Sequence, residues 1–317
     1  MTSQQDPTSV DDTSLAVLED AAPSVLGPSK TPLFQAIHAA RYQRQTLIKD
    51  INRETPGRHL ICYVSGLGTM IERDDTIGLV DLLHNVPAGA GIDLLLHTGG
   101  GDIDAAEKLV SMMRQRVGTG SLRVVVPDFA KSAGTLIALG CDSIVMSNTS
   151  ELGPIDPQVV RADGNGNRLA HSVLSYLDAY DHHAEVLKRE PDNVASQIMM
   201  NKLDPGTLKQ FEAIRDRAQR VAEDLLKRGM FRDGQGNYTL AAAELMNVKT
   251  RPSHGQMISW EDAMSPKLGL KVEYLEADDT IWKKYWLLYC LQRLAITDRQ
   301  KIFESDYASL VIDGVLG

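Results

Sequence analysis

The feature that most constrains the fold is a repeated alternation of apolar strand, small-residue turn and helix in the middle of the chain. Ile92–Leu96 is an apolar run ended by three glycines, Gly99–Gly101, and residues 102–116 then show helical spacing. Leu122–Val126 is rich in β-branched residues and leads into a second helix-like segment, Ser132–Leu139. Strand, turn and helix alternating in this way predict an α/β core with parallel strands.

Composition and periodicity divide the chain into five segments. They are a flexible tail at 1–30, an α/β core at 31–160, a mainly helical insertion at 161–250, the completion of the core at 251–278, and a C-terminal helical segment at 279–317. The tail is rich in Ser, Thr, Asp and Pro, which favours disorder. Within the insertion, the glycine- and asparagine-rich residues 163–167 predict a turn or exposed loop.

Charge and cysteine spacing exclude several classes of protein. The formal net charge is −9 and no basic stripe is present, so nucleic acid is not expected as a partner. Cys62, Cys141 and Cys290 lie far apart, which argues against a zinc site or a disulfide framework. No stretch approaches the ~20 apolar residues of a membrane span, and no secretory signal is apparent. We therefore expect a cytoplasmic protein with no cofactor, no metal and no membrane partner.

Ser132 is the candidate nucleophile. It stands between an apolar strand and a helix of small residues, where a tight turn can expose its hydroxyl at a helix N-terminus. A serine hydroxyl needs a base to act as a nucleophile. The alternative interpretation is that Ser132 only caps the helix.

Two small-residue turns after consecutive strands are candidates for an oxyanion hole. Gly100 and Gly101 in the first turn and Ala133 in the second offer main-chain amides that could face one pocket. The sequence lacks both the GxGxxG and the Walker pattern, so a nucleotide loop is not indicated. A simple tight turn remains the alternative for the glycines.

Asp156 and His254 are the candidate partners of the serine. Asp156 lies in the rigid segment LGPIDPQ, and His254 lies in a turn before a predicted helix. An acid that orders its own turn and a histidine at the surface are the alternatives from local sequence.

Taken together, these segments resemble the serine dehydrogenase proteinase family, a relative of the Clp protease proteolytic subunit, signal peptide peptidase A and the crotonase superfamily. The resemblance covers Ile92–Gln158, with LLLHTGGGD, KSAGTLIALGCDSIVM and LGPIDPQ, and Ser253–Leu275, with SHGQMISWEDAMSPKLGLKVEYL. It implies a ββα-spiral core with a helical insertion and a C-terminal helix, a homo-oligomer, and peptide hydrolysis by an activated serine.

By position, the resemblance makes Ser132 the nucleophile and gives oxyanion amides to Gly100, Gly101 and Ala133; Gly99 stands where the family usually has proline. The family's triad in altered chain order corresponds to Ser132, Asp156 and His254. In the Clp subunit a histidine occupies the place of Asp156, and an aspartate lies near the place of His254. Two arrangements therefore stay open, one with His254 at the serine and one with Asp156 facing it.

A Ser–Lys dyad is the second possibility for the base. Lys188 and Lys202 are the candidates in chain order, whereas Lys131 is discounted because neighbours on a sharp turn point apart. A lysine base would require burial that lowers its pKa.

The function predicted from sequence is a serine endopeptidase that acts on peptides or unfolded protein as a self-compartmentalised homo-oligomer. Any dependence on ATP would come from a separate unfoldase, because the chain has no nucleotide loop of its own. The alternatives are a catalytically degenerate scaffold or regulator of the same fold, and a crotonase-like acyl-CoA enzyme that would bind CoA.

Overall fold

The computed structural model describes residues 30–162 and 168–314. The predicted tail, apart from Lys30, and the predicted turn at 163–167 lie outside the described residues. Among these residues, 30–39 belong to one small unit, with helix α1 (Pro32–Ile37), and those from Ala40 to Gly314 form the main unit.

The main unit alternates strands and helices in its first half. Its elements are α2 (Ala39–Glu54), β1 (Arg58–Ser65), α3 (Asp75–His84), β2 (Gly91–His97), α4 (Ile103–Val117), β3 (Leu122–Val125), β4 (Phe129–Ala130), α5 (Ala133–Leu139), β5 (Ser143–Met146) and β6 (Glu151–Leu152). The predicted alternation of strand, turn and helix is therefore confirmed.

The second half begins with a hairpin and a group of helices and then returns to the sheet. Its elements are β7 (Gln158–Ala162), β8 (Arg168–Ser172), α6 (Val173–Arg189), α7 (Val194–Asn201), α8 (Pro205–Arg228), α9 (Tyr238–Leu245), α10 (Trp260–Met264), β9 (Val272–Tyr274), α11 (Thr280–Leu294), β10 (Gln300–Glu304) and β11 (Ser309–Asp313). The hairpin and helices α7 and α9 were not predicted.

The central sheet has seven strands in the order β11-β10-β1-β2-β3-β5-β9. Strands β1, β2, β3, β5 and β9 are parallel, while β10 and β11 add to one edge in antiparallel fashion. Because β2 and β3 are parallel neighbours, the turns that follow them meet at the same edge of the sheet.

Side chains of the central strand β2 alternate between two apolar layers. Leu94 and Leu96 belong to the larger core, which also holds buried residues of α3, α4, α5, α8 and α9. Leu95 belongs to the opposite layer, with buried residues of α2 and α11. The sheet is thus covered on both faces, as a parallel sheet requires.

A second, short ladder crosses the carboxyl edge of the sheet. Thr98 forms a bridge to Ala130, Ala130 pairs with Leu152, and Leu152 forms an antiparallel bridge to Ile258. Strands β3 and β4 followed by α5 make one strand–strand–helix unit, in keeping with the ClpP-like core expected from the sequence.

The structure differs from the sequence analysis after Leu294, where strands β10 and β11 replace a purely helical segment. The sequence of β10 lacks the apolar pattern of a strand, and this has a physical cause. Lys301 and Glu304 of β10 are fully buried, because Lys301 pairs with Asp75 and Glu304 pairs with Arg44. Charged residues that point inward hide the apolar pattern of a strand.

Candidate functional site

Ser132 stands at the turn between β4 and α5 in a backbone conformation that is rare for a residue with a side chain. Its φ is 51° and its ψ is −117°, and it is the one non-glycine residue with positive φ among residues 30–162 and 168–314. Such conformations cost about 1–3 kcal/mol and concentrate at functional sites. The hydroxyl makes no capping hydrogen bond. Ser132 is therefore the N-cap residue of α5 by position, but its hydroxyl does not cap the helix.

Gly100 lies directly against the serine. A Cβ placed on Gly100 would come within 2.7 Å of Ser132 Cβ and 3.3 Å of its Oγ, and the φ of Gly100 is +115°. Gly101 has a φ of +147°, and its Cβ would collide with the main chain of Ile71 at 2.3 Å. Glycine is required at both positions, for space and for conformation.

Hydrogen bonds between main-chain groups fix the two turns to each other. Thr98 N donates to Phe129 O at 3.1 Å, and Lys131 N donates to Thr98 O at 3.0 Å. Since Thr98 precedes the glycines and Lys131 precedes the serine, these bonds hold the nucleophile beside the glycine turn.

The main-chain amides of Gly101 and Ala133 have no acceptor among residues 30–162 and 168–314. Ile71 bonds to Gly100 O and Asp102 N, so the Gly101 N–H points away from Ile71. Ala133 is the first residue of α5, and a first helical amide has no intrahelical acceptor. Within the described ranges, neither amide donates a hydrogen bond to another group.

The amide of Gly100 is placed differently from the other two. It donates to the Thr98 hydroxyl at 3.2 Å. Of the three amides that the sequence suggested, those of Gly101 and Ala133 therefore remain open to a ligand oxygen.

Asp156 and His254 form a hydrogen-bonded pair although 98 positions separate them in the chain. His254 Nδ1 lies 2.7 Å from Asp156 Oδ1. The Asp156 side chain is buried, whereas that of His254 is 30% exposed. Gln158 Nε2 donates to the other carboxylate oxygen, Asp156 Oδ2, at 2.6 Å. The carboxylate is therefore fixed from both sides, and one ring nitrogen of His254, Nε2, is left for another partner.

The short ladder brings the segments that carry this pair to the nucleophile turn. Thr135 of α5 is fully buried, donates to Ala130 O at 2.7 Å and accepts from Gly153 N at 3.1 Å. The loop that ends at Asp156 is thereby fixed to the first turn of the serine's own helix. Sequence reasoning missed Thr135 and Gln158, because a single hydroxyl or amide carries no motif.

Ser132 Oγ makes no hydrogen bond to His254 or Asp156 in the described part of the chain. Lys188 lies on the exposed side of α6 and pairs with Glu185 at 2.5 Å, and Lys202 is exposed at the end of α7. Lys131 Nζ lies 3.0 Å from Glu151 Oε2 and 3.1 Å from Leu152 O. The structure thus brings none of the three lysines into contact with the serine.

A buried polar cluster lies behind the two turns. His97 Nε2 lies 3.4 Å from Asp128 Oδ2, and Tyr289 of α11 donates to the same oxygen at 2.6 Å. Partial burial raises the pKa of Asp128, but the contacts with His97 and Tyr289 outweigh it and leave the pKa below its usual value. His97 precedes the glycine turn and Asp128 precedes the serine turn, so the cluster helps to fix the segments that lead into both turns.

Residues 30–162 and 168–314 contain neither a cluster of metal ligands nor a helix that could span a membrane. No group of three or more His, Cys, Asp or Glu side chains there is arranged to hold a metal ion. None of the helices described has the length and apolarity needed to cross a bilayer.

Two curated proteins of Methanocaldococcus jannaschii, both uncharacterized, are similar to part of the chain. MJ0137 is 35% identical over 108 residues, which cover 29% of this chain and 37% of that protein. MJ1495 is 29% identical over 117 residues, which cover 37% of this chain and 36% of that protein. The chain therefore spans little more than a third of the length of these relatives.

Solved structures with a similar arrangement include two groups of proteases. A mutant of the 1510-N membrane-bound stomatin-specific protease in complex with a substrate peptide aligns with a TM-score of 0.38 and 19% identity, over 70% of this chain and 77% of that chain. ClpP1 from Listeria monocytogenes aligns with a TM-score of 0.38 and 12% identity, over 75% of this chain and 99% of that chain.

The family comparison gives the clearest result. The sequence profile of the ClpP-like SDH-type serine proteinases matches residues 42–199, a range that includes both small-residue turns, Ser132 and Asp156. His254 lies beyond the matched range. Over residues 42–199, the chain belongs to the family of ClpP-like SDH-type serine proteinases.

Proposed function

We propose that this chain is a serine endopeptidase that cleaves peptide bonds through an acyl-enzyme on Ser132, with His254 as general base and Asp156 as its partner. The observation that carries the proposal is the 2.7 Å hydrogen bond between His254 Nδ1 and Asp156 Oδ1. The fold pairs two residues distant in sequence, and the short ladder links their segments to the turn that carries Ser132. The strained backbone of Ser132 supports the proposal further, because strain of this kind concentrates at functional sites.

Proton transfer follows from the direction of that hydrogen bond. Because Asp156 is a buried carboxylate that accepts from Nδ1–H, the neutral ring of His254 carries its lone pair on Nε2. Nε2 takes the proton of Ser132 Oγ as the oxygen attacks the peptide carbonyl, and Asp156 stabilises the imidazolium that results. The same Nε2–H then protonates the leaving amine. In the second half of the reaction, Nε2 takes a proton from a water molecule, which attacks the acyl-enzyme. The proton then returns to Ser132 Oγ as the acyl group leaves.

The amides of Gly101 and Ala133 are the proposed oxyanion donors. Ala133 follows the serine in the chain, Gly101 follows Gly100, which lies against the serine, and neither amide has an acceptor within the described residues. Fixed donors aimed at the developing negative charge are worth a factor of about 10²–10³ each in kcat. Gly100 has a different role in this account, because it provides the space that Ser132 requires.

The hydrogen bond between Ser132 Oγ and His254 Nε2 is proposed to form when substrate binds. Catalytic hydrogen bonds are often long or misaligned in free enzymes and tighten in the complex with substrate. His254 is 30% exposed and lies in a turn, so its ring has room to change position.

We further propose that the enzyme is a homo-oligomer that acts on peptides or unfolded protein. Support comes from α7 in the helical insertion, where Val194, Ile198 and Met199 are half-exposed or more. Apolar side chains grouped at a surface commonly mark a subunit contact. Any dependence on ATP would come from a separate unfoldase, and adding candidate unfoldases to the purified enzyme tests for it.

Covalent labelling with a fluorophosphonate tests the proposal. The probe should attach once to the wild-type protein, at Ser132, and the label should be absent from Ser132→Ala. His254→Ala and Asp156→Asn should each slow labelling strongly, whereas Lys188→Met, which removes an exposed lysine, should not. Labelling that is unaffected in His254→Ala but lost in Lys188→Met or Lys202→Met would favour the Ser–Lys dyad.

The two remaining functions make different predictions in the same assay. A degenerate scaffold of this fold would show neither labelling nor cleavage of peptides by the assembled wild-type protein. An acyl-CoA enzyme would bind CoA and keep its activity in Ser132→Ala.

A further inference from the structure

The contacts of Lys131 suggest a role that the proposed catalytic groups do not include. Its Nζ lies 3.0 Å from Glu151 Oε2, 3.1 Å from Leu152 O and 3.5 Å from Gly255 O. Its side chain is only 13% exposed, although it belongs to a residue of the nucleophile turn. A lysine this far removed from water is normally held by specific partners.

The partners of Lys131 lie on the two segments that carry the proposed acid and base. Leu152 begins the loop that ends at Asp156, and Gly255 directly follows His254. The two segments meet at the antiparallel bridge between Leu152 and Ile258 and again at the hydrogen bond between Asp156 and His254. The ammonium group contacts one carbonyl oxygen on each segment, those of Leu152 and Gly255.

The stem of Lys131 adds a packing contact to these polar ones. A Cβ on Gly153 would come within 2.6 Å of Lys131 Cδ, so the lysine chain runs directly over Gly153. A side chain at Gly153 would displace the lysine chain from this path. Along this path the ammonium group reaches Gly255 O on the histidine segment.

We propose that Lys131 is a positioning residue that holds the His254 segment in register with Ser132, and that it is not the catalytic base. This inference deepens the proposed function and rests on it for its kinetic consequences. Charge-assisted bonds from an ammonium to carbonyl oxygens are stronger than neutral ones, which suits a group that must fix a turn. Because Lys131 and Ser132 are adjacent, the serine and the histidine segment share one support.

A double-mutant cycle separates positioning from general damage to the fold. The variants are Lys131→Met, His254→Ala and the combination, and the readout is the rate of fluorophosphonate labelling at Ser132. Lys131→Met should slow labelling about 10–100-fold, the scale expected for a misplaced catalytic group. In the His254→Ala background it should change the rate less than about 3-fold, because residues that act through one another are not additive. Full additivity would overturn the proposal.

Two control variants test whether the effect depends on a positive charge at position 131. Lys131→Arg keeps a cation and should recover most of the rate, while Lys188→Met removes an exposed lysine and should leave the rate unchanged. If Lys131→Arg is inactive while His254→Ala labels normally, Lys131 is the base and the positioning role is wrong.

Amide hydrogen exchange tests the same inference without catalysis. Residues 252–258 should exchange faster in Lys131→Met than in the wild type, with little change in the central sheet. Unchanged exchange there would contradict the proposal even if no labelling is ever seen. If Ser132 labels normally and exchange is unchanged, the peptidase assignment survives and the role of Lys131 does not. Should Lys131→Met fail to fold, Lys131→Gln replaces it in both measurements.

Discussion

Two regions of the sheet are held together in different ways. The turn edge is the carboxyl end of the parallel strands, where Ser132 and the glycines lie, and the added edge is the side of the sheet formed by the antiparallel strands β10 and β11. The turn edge is held by main-chain hydrogen bonds and by Gly100 and Gly101, which no other residue can replace. The added edge depends on buried side-chain charges, with Lys301 between Asp75 and Glu72. A backbone conformation that requires glycine can be recognised from the local sequence, whereas an ion pair between distant residues cannot.

The largest effect on stability is expected from Lys301→Met at the added edge. Lys301 and Asp75 are both fully buried, and removing one partner leaves an uncompensated charge. Breaking a buried pair in this way costs about 3–5 kcal/mol in free energy of unfolding. Urea unfolding measures this cost, and the labelling rate of the molecules that remain folded should be unchanged.

A matched control and a pH series sharpen that prediction. Lys271→Met removes a pair with Asp233 in which both side chains are at least 40% exposed, and it should cost well under about 1 kcal/mol.

Burial raises the pKa of Asp75, and loss of Lys301 should raise it further. Because a protonated Asp75 carries no charge, the deficit of Lys301→Met should shrink as the pH falls from about 7 to about 4. A deficit independent of pH would contradict the account.

The largest effect on activity from a change of packing alone is expected from Gly100→Ala at the turn edge. The added Cβ would lie 2.7 Å from Ser132 Cβ, so the serine must move. Displacement of a reacting group by about 1 Å can cost roughly 100-fold in rate. Gly99→Ala is the matched control, since nothing lies within 4 Å of its Cβ position and its labelling rate should be close to that of the wild type.

Ser132→Gly and Ser132→Ala together measure the strain in the turn. Both variants should lose labelling, but only glycine adopts a φ of 51° without cost. Ser132→Gly should therefore unfold at a higher denaturant concentration than Ser132→Ala, by about 1 kcal/mol in free energy of unfolding. Equal midpoints would show that the turn is unstrained.

The smallest effect is expected from Asp128→Asn in the cluster behind the turns. The folded pKa of Asp128 is lower than that of a free carboxyl, so its ionised form stabilises the fold above about pH 4. That contribution is lost as the pH falls through the folded pKa. The stability difference between wild type and Asp128→Asn should thus be constant above about pH 5 and should narrow below about pH 4. Because Asp128 is partly exposed, the difference is expected to be small.

The same contrast explains which parts of the fold could be predicted from the sequence and which could not. The apolar strands Ile92–Leu96 and Leu122–Val126, the helices after them and the serine turn were predicted because each has a local pattern. Strand β10 was not, because Lys301 and Glu304 look like surface residues until Asp75 and Arg44 are placed beside them.

The site shows the same division between local and distant information. Ser132, Asp156 and His254 could be named from motifs, and their arrangement could not. Only the folded chain shows that Asp156 bonds to His254 and that Lys131 reaches Gly255 rather than the serine.

A crystal structure of the Ser132–phosphonate adduct would test the catalytic geometry most directly. The account predicts a phosphonyl oxygen about 2.7–3.1 Å from the amides of both Gly101 and Ala133, with His254 Nε2 within hydrogen-bond reach of Ser132 Oγ and its Nδ1 still on Asp156. A phosphonyl oxygen directed to solvent, or a His254 ring remote from the adduct, would contradict it.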